Sequence, residues 1–309
     1  MAELRVLKNF ELGLLSLAVL DWPLLRDSFV ASPKLAEWSP ALFEYMIGCA
    51  SLELYRDAFH AADDAACRRH KAEAEERMRS AGRVACKKRV MGRPMPIETF
   101  VQARVRRWEA LAAASPGLDL ADAVGVSPAV EMAYVWSAHR RMGPAELERA
   151  VAHLAWDRCT AGPDALERLR AERDEAGTWA VNMSALLRSQ GKTADARRLL
   201  EEHVVAHDRS AFKGANKMDY VLQATDYELA VIAWLECCRG PAAEKEEKEE
   251  GNEADEAYRR RKLDECQAGL DKAKGWESFT LEDRLGVRAL FGQHTVDWMR
   301  QKKGWERDQ

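Results

Sequence analysis

The chain has little of what staples or punctuates a small fold: 18 glycines, 10 prolines and seven cysteines in 309 residues. The cysteines are odd in number and none sits in a C-x-x-C spacing, a pattern of reduced thiols in a cytosolic or nuclear protein. No stretch approaches the roughly 18 apolar residues that a membrane span requires. The best run, Leu12 to Leu20, is about half that length and contains Ser16. A basic n-region followed by an apolar core and a cleavage site is missing at the start, which argues against secretion. Nucleotide-binding and hydrolytic signatures are missing too: no G-x-G-x-x-G, no G-x-x-x-x-G-K-[ST], no H-E-x-x-H and no G-x-S-x-G. The net charge of -4 and pI near 6.1 give no overall electrostatic case for a nucleic-acid partner. Alternating apolar and polar runs with turn-rich flanks do not occur, so strands are not expected.

What remains is helical periodicity. Phe10, Leu14, Leu17 and Ala18 recur at three- and four-residue steps, and Trp22-Pro23 marks a new start. Ser39-Pro40 and Ser127-Pro128 each pair a serine cap with proline at the first helical position. Leu42, Tyr45, Met46, Cys49 and Leu52 follow the first of these on one face. Val130, Met132, Tyr134, Val135 and Ala138 follow the second. Gly143-Pro144 ends that helix and begins another. The expected fold class is all-α.

One pair of helices carries a repeat signature. Trp179 to Gln190 reads as a helix stopped by Gly191, and Thr193 to about Ala206 as its partner. Small residues at Ser184 and Ala196, with Leu187, Leu199 and Leu200 as larger partners, resemble one tetratricopeptide repeat. His203 departs from that pattern, standing where the repeat usually has a small residue. A lone helix pair cannot bury its apolar face, so residues 1–309 are expected to form a single solenoid of stacked antiparallel pairs.

Charge is segregated along the chain. Between 241 and 256, eight acids face Lys245 and Lys248, a local net of -6, so the remainder carries +2. This stretch is expected to be a solvated, disordered insertion between repeat helices, with a partner-binding role as the alternative. Between 68 and 93, ten basic residues face three acids, a local net of +7. An exposed helix face is the expected reading; acidic protein surfaces, anionic lipid and nucleic acid are alternatives, and few aromatics interleave to stack on bases. His203 and His207, one turn apart near Asp208, offer two metal ligands where about three or four are needed. Cys237 and Cys238 are adjacent and therefore diverge. Most of the ten tryptophans are expected in the core. No catalytic, cofactor-binding or metal-binding residue is therefore assigned.

Two blocks are more specific. One runs Gly92-Arg-Pro-Met-Pro-Ile-Glu-Thr-Phe-Val-Gln-Ala-Arg-Val-Arg-Arg-Trp108, the other Asp122-Ala-Val-Gly-Val-Ser-Pro-Ala-Val-Glu-Met-Ala-Tyr-Val-Trp136, continuing to Arg140-Arg-Met142. With Glu37-Trp-Ser-Pro40, Tyr45 and Leu281-Glu-Asp-Arg-Leu-Gly-Val-Arg288, they resemble the fungal inclusion-body clearance (Iml-type) family and its animal tetratricopeptide-repeat relatives. In residue terms the blocks are scaffold: Pro94 and Pro96 keep the connection extended, and Glu98 follows as a first-turn acid. The resemblance implies a non-enzymatic adaptor without cofactor, located in cytoplasm and nucleus. It also implies contact with lipid-droplet proteins during the clearance of misfolded-protein inclusions. A lipid- or sterol-handling module is the competing expectation, using an apolar cavity or an amphipathic face such as Leu12 to Leu25 at a droplet surface. Members of the family are about twice as long, and the chain is expected to match their C-terminal half. Arg104, Arg107, Tyr134, Trp136 and Arg140 are the candidate partner-contact residues, as aromatic and arginine anchors.

Overall fold

The computed structural model describes residues 2–32, 38–90, 92–241, 253–277 and 279–305, which form thirteen α-helices joined by short 3-10 and π turns. Four of the proline-marked starts fall where the local chemistry puts them. Helices α2 (Trp22–Val30), α3 (Pro40–His60), α6 (Pro128–Val135) and α7 (Pro144–Leu154) all carry proline in the first turn. Before α6, the Ser127 hydroxyl accepts from the Val130 amide at 3.2 Å, satisfying one of the donors a helix start leaves open. Helix α5 (Pro96–Ala114) starts the same way, at Pro96.

Neighbouring helices fold back on each other through tight turns. Helix α1 (Ala2–Val19) packs on α2, and α3 packs along α4 (Asp64–Val84). Helix α9 (Arg173–Ser189) begins six residues before Trp179, where the repeat pattern starts, and turns at Gly191, whose φ of +83° is a left-handed value suited to glycine. Its partner α10 (Thr193–Leu200) runs on into a π turn over Glu201–Val205. Ser184, Ala196 and Leu200 are buried between the two, with Leu187 and Leu199 packed against the same core. Helices α11 (Tyr220–Arg239), α12 (Glu253–Lys274) and α13 (Glu282–Lys303) complete the stack. The short α8 (Pro163–Ala171) leads into α9. The architecture is an all-α, tetratricopeptide-like solenoid.

Two details differ from the sequence expectation. A two-residue antiparallel ladder joins Arg89–Val90 to Arg93–Pro94 around a turn containing Gly92 at φ +78°. Of the acidic stretch, residues 242–252 lie outside those described, while Glu253–Glu256 already form the first turn of α12, where acids favour the helix N-terminus.

The main core runs from Leu17 to Leu285, and a second cluster, including Tyr227, Ala233, Leu263, Leu270 and Val296, joins α11, α12 and α13. Every residue of α6 is buried, so this helix is enclosed on all sides and packs against α1, α3, α7 and α9.

Candidate functional site

The sequence blocks singled out above meet around α6. From α5, Arg104 donates to Glu131 of α6 at 3.0 Å and to Glu175 of α9 at 2.9 Å. Tyr220 of α11 donates to the other Glu131 oxygen at 2.7 Å. The Arg104 guanidinium also lies 4.9 Å from the Trp108 ring centre, and Tyr45 stacks on that ring. Burial pushes the Glu131 carboxyl above the usual range; Arg104 opposes this and the like charge of Glu175 adds to it. Next to Glu175, Asp174 is pushed up to about 6, first by burial and then by its neighbour's charge. One cation thus serves two buried carboxylates and joins three helices, and Tyr220 ties α11 to the same cluster through Glu131.

A second network surrounds Glu53 of α3. Ser127 donates to it at 2.7 Å, His153 Nδ1 lies at 2.9 Å and Arg56 at 3.5 Å. Burial pushes this carboxyl up, but the His153 hydrogen bond and the Arg56 charge outweigh it and hold the group below its usual value. Arg56 also donates to the carbonyl of Gly125 at 3.2 Å. Glu98 stands in the first turn of α5 as expected and is enclosed there, accepting from Ser39 and from the Cys86 amide, both at 2.9 Å.

The third cluster lies where α13 reaches the end of α6. Arg288 donates to the main-chain carbonyls of Tyr134 and Val135 at 2.7 and 2.9 Å, and Arg284 sits 3.5 Å from the Trp136 ring centre. His139 stacks on Tyr134 and is held neutral by burial, reinforced by the charges of Arg188, Arg288 and Arg140. Arg188 is paired with Glu228 at 2.7 Å, and Arg140 donates to the Tyr227 hydroxyl at 2.6 Å.

The five candidate contact residues therefore divide. Arg104 has no exposed surface and Tyr134 is enclosed as well, so in this fold both work inside the scaffold. Arginine and tyrosine read from sequence as surface anchors, but here each is consumed by a buried partner. Arg107 is half-buried and ion-paired with Glu172. Trp136 is half-buried beneath Arg284. Arg140 alone of the five is exposed and borders a groove of about 320 Å³ between α11, α12 and α13. Sequence reasoning missed the other walls of that groove, including Trp234, Leu270 and Phe291. The available signal was the run Val287, Leu290, Phe291 and Trp298, apolar at helical spacing yet exposed.

The remaining candidates also have defined places. His203 lies edge-on to Trp179, and His207 accepts from Arg173 at 2.9 Å. Among the described residues, no three of His, Cys, Asp and Glu gather as metal ligands. Cys237 is buried against α12 and its thiol is pushed up to about 11 by burial, whereas Cys238 is exposed. In the basic stretch, Lys71 pairs with Asp119 and Asp122, Arg77 with Glu44 and Arg79 with Glu75. Arg68 and Arg69 face solvent. Trp108 and Trp22 are buried, while Trp38 and Trp298 are exposed.

The family model for Iml2/Tetratricopeptide repeat protein 39 matches residues 1–190. The chain belongs to this family. It is 36% identical to the inclusion body clearance protein IML2 of Pyricularia oryzae, covering 99% of this chain and 42% of that protein. It is 33% identical to the protein of the same name from Aspergillus terreus, over 95% of this chain and 42% of the relative. The likeness extends to Yarrowia lipolytica IML2, at 24% identity over 76% of this chain and 33% of the relative. The chain thus spans less than half the length of the curated relatives it matches. No solved structure matches it. Both blocks, at 92–108 and 122–142, lie within the part that the Iml2/Tetratricopeptide repeat protein 39 model covers.

Proposed function

We propose that this chain is a non-catalytic helical scaffold that serves the clearance of misfolded-protein inclusion bodies, working in cytoplasm and nucleus through contact with lipid-droplet proteins. Membership of the Iml2/Tetratricopeptide repeat protein 39 family and the names of the relatives support the scaffold role and the process. The observation that carries the reading is how the charged groups are used. Arg104, Glu131, Glu175, Glu53, Arg188 and Glu228 are enclosed and tied to partners on other helices. Titratable groups spent in this way hold elements together, and the accessible chemistry is left to a surface groove.

A lipid-handling role through the Leu12 to Leu25 face draws less support. Leu17, Leu20, Trp22 and Leu25 are already buried in the core, leaving Leu15 and Val19 outside. Among the described residues, no helix is long and apolar enough to cross a membrane. The test is re-expression of the chain in fungal cells lacking their own family member, with a misfolding reporter followed after heat stress. Faster loss of reporter foci, with droplet proteins labelled by a proximity tag on the chain, is expected. Unchanged foci in cells that accumulate the folded chain would refute the reading. Flotation of the purified chain with protein-free droplets would instead favour direct lipid handling.

A further inference from the structure

The groove between α11, α12 and α13 combines two properties seldom left open together. Its walls include Tyr227, Trp234, Leu270 and Phe291, an apolar lining that extends onto the exposed side of α13. Phe291 is 69% exposed and Leu290 52%, large values for side chains of this kind. The same groove is lined by Arg140 and Arg288, and no Asp or Glu is among its described walls.

Neither arginine has an ion pair among the described residues. Arg140 spends one nitrogen on the Tyr227 hydroxyl. Arg288 spends Nη2 on two carbonyls, yet it is only 8% exposed and its Nη1 is buried with no hydrogen-bond partner. A guanidinium left short of acceptors in such a place is costly, and a carboxylate supplies what is missing with a strong, directional bond. The groove is therefore electropositive as well as apolar.

We propose that this groove binds an acidic–apolar peptide segment of a protein partner. One bulky apolar side chain packs between Trp234 and Phe291, and a nearby carboxylate engages Arg140 and Arg288. This inference rests on the scaffold reading and names the chemistry of the partner. Anionic lipid would satisfy the arginines alone, but a walled groove of side-chain size fits a peptide anchor better than a membrane surface.

The test pans a phage-displayed library of random 12-residue peptides on the intact chain, then measures a selected peptide by fluorescence anisotropy. Selected peptides should carry Asp or Glu within about four residues of Leu, Ile, Phe or Trp, roughly one helical turn. Arg140→Glu should weaken binding about tenfold or more, Arg140→Lys about threefold or less, and Phe291→Ala about tenfold. Arg68→Glu, in the basic stretch of α4, should leave it unchanged. Positions 140 and 291 are exposed, so these variants keep the fold, which circular dichroism verifies. Peptides without acidic enrichment, or equal binding to all variants, would overturn the proposal. Failure to select any peptide, with Phe291-dependent binding to phosphatidylcholine–phosphatidylserine vesicles, would overturn it too. Either result leaves the clearance assay in cells free to succeed, so the two readings fail separately.

Discussion

Arg288 lies over the ring of Tyr134, 4.8 Å from its centre, while donating to the carbonyl of that same residue at 2.7 Å. One side chain thereby fastens α13 to the end of α6 across 154 positions of sequence. The open carbonyls of a helix terminus need donors, and here a distant arginine adds to the local cap, in which the Ser137 amide already donates to Tyr134 at 2.9 Å.

Removing that donor should be expensive. Arg288→Leu leaves the Val135 carbonyl without its donor and the Tyr134 carbonyl with the Ser137 amide alone, and a loss of about 1–3 kcal/mol is expected from the usual cost of one such group. Arg288→Lys retains the charge but not the planar fork and should lose about half as much. Urea unfolding followed by circular dichroism reads both, and a negligible loss for Arg288→Lys would count against the fork as the feature that matters.

The Arg104 cluster makes an asymmetric prediction. Arg104→Met strands Glu131 and Glu175 in the interior and should cost about 3–5 kcal/mol, as expected when one side of a buried ion pair is deleted. Glu175→Gln removes one of two carboxylates that share a single cation and should cost less than about 2 kcal/mol. The double variant should fall short of additivity by about 1–3 kcal/mol, because the carboxylate stranded by the first change is gone in the second. Equilibrium unfolding of all four chains closes the cycle, and strict additivity would mean the groups do not interact.

These clusters also mark the limit of what the sequence discloses. The helix starts at Pro40, Pro128 and Pro144 were legible because a first-turn proline acts over a few neighbouring residues, but the expected serine cap forms only at Ser127, since Ser39 spends its hydroxyl on Glu98. The Gly191 turn was legible for the same reason: a left-handed residue is a local demand. Arg104 and Tyr134 read as exposed anchors because residue type carries no trace of partners 27, 71 or 154 positions away. Glu98 was read correctly as a first-turn acid, but its acceptor role toward Ser39 spans 59 residues and was not legible. The groove was half legible: Arg140 stood out within a motif, while its walls come from three helices whose order in space only packing decides.

Asp174 should make stability depend on pH in the direction opposite to most acids. Its folded-state value is raised to about 6 from an ordinary 3.8, so the folded chain holds a proton that the unfolded chain has already lost. Stability from this group therefore falls as pH rises from about 4 to about 6 and stays reduced above. Asp174→Asn keeps an oxygen for the Met218 amide, which now donates to Oδ1 at 2.9 Å, and cannot ionise. The variant should be more stable by about 1–2 kcal/mol at pH 7.5, within the limit set by roughly 1.4 kcal/mol for each unit of displacement. Its advantage should vanish near pH 3.5, where both side chains are neutral. Unfolding free energies at the two pH values decide the matter, and an unchanged advantage at low pH would show that charge is not the cause.

Two glycines inside late helices should respond in opposite ways to the same substitution. A methyl group at Gly269 of α12 would meet the Ala230 side chain at 2.9 Å and its Cα at 3.2 Å, with the Asp226 carbonyl also at 3.2 Å. Two of those three atoms are backbone, so α11 and α12 must move apart, and Gly269→Ala should cost about 1–3 kcal/mol despite alanine's better helix propensity. At Gly286 of α13 the nearest atom is Glu282 Cγ at 3.9 Å. Gly286→Ala meets no obstacle and should gain about 0.5–1 kcal/mol from reduced backbone freedom in the unfolded chain. Thermal unfolding of the two variants beside the parent chain separates close helix packing from intrinsic propensity. A rise in melting temperature for both would mean that α11 and α12 do not approach each other at Gly269 as described.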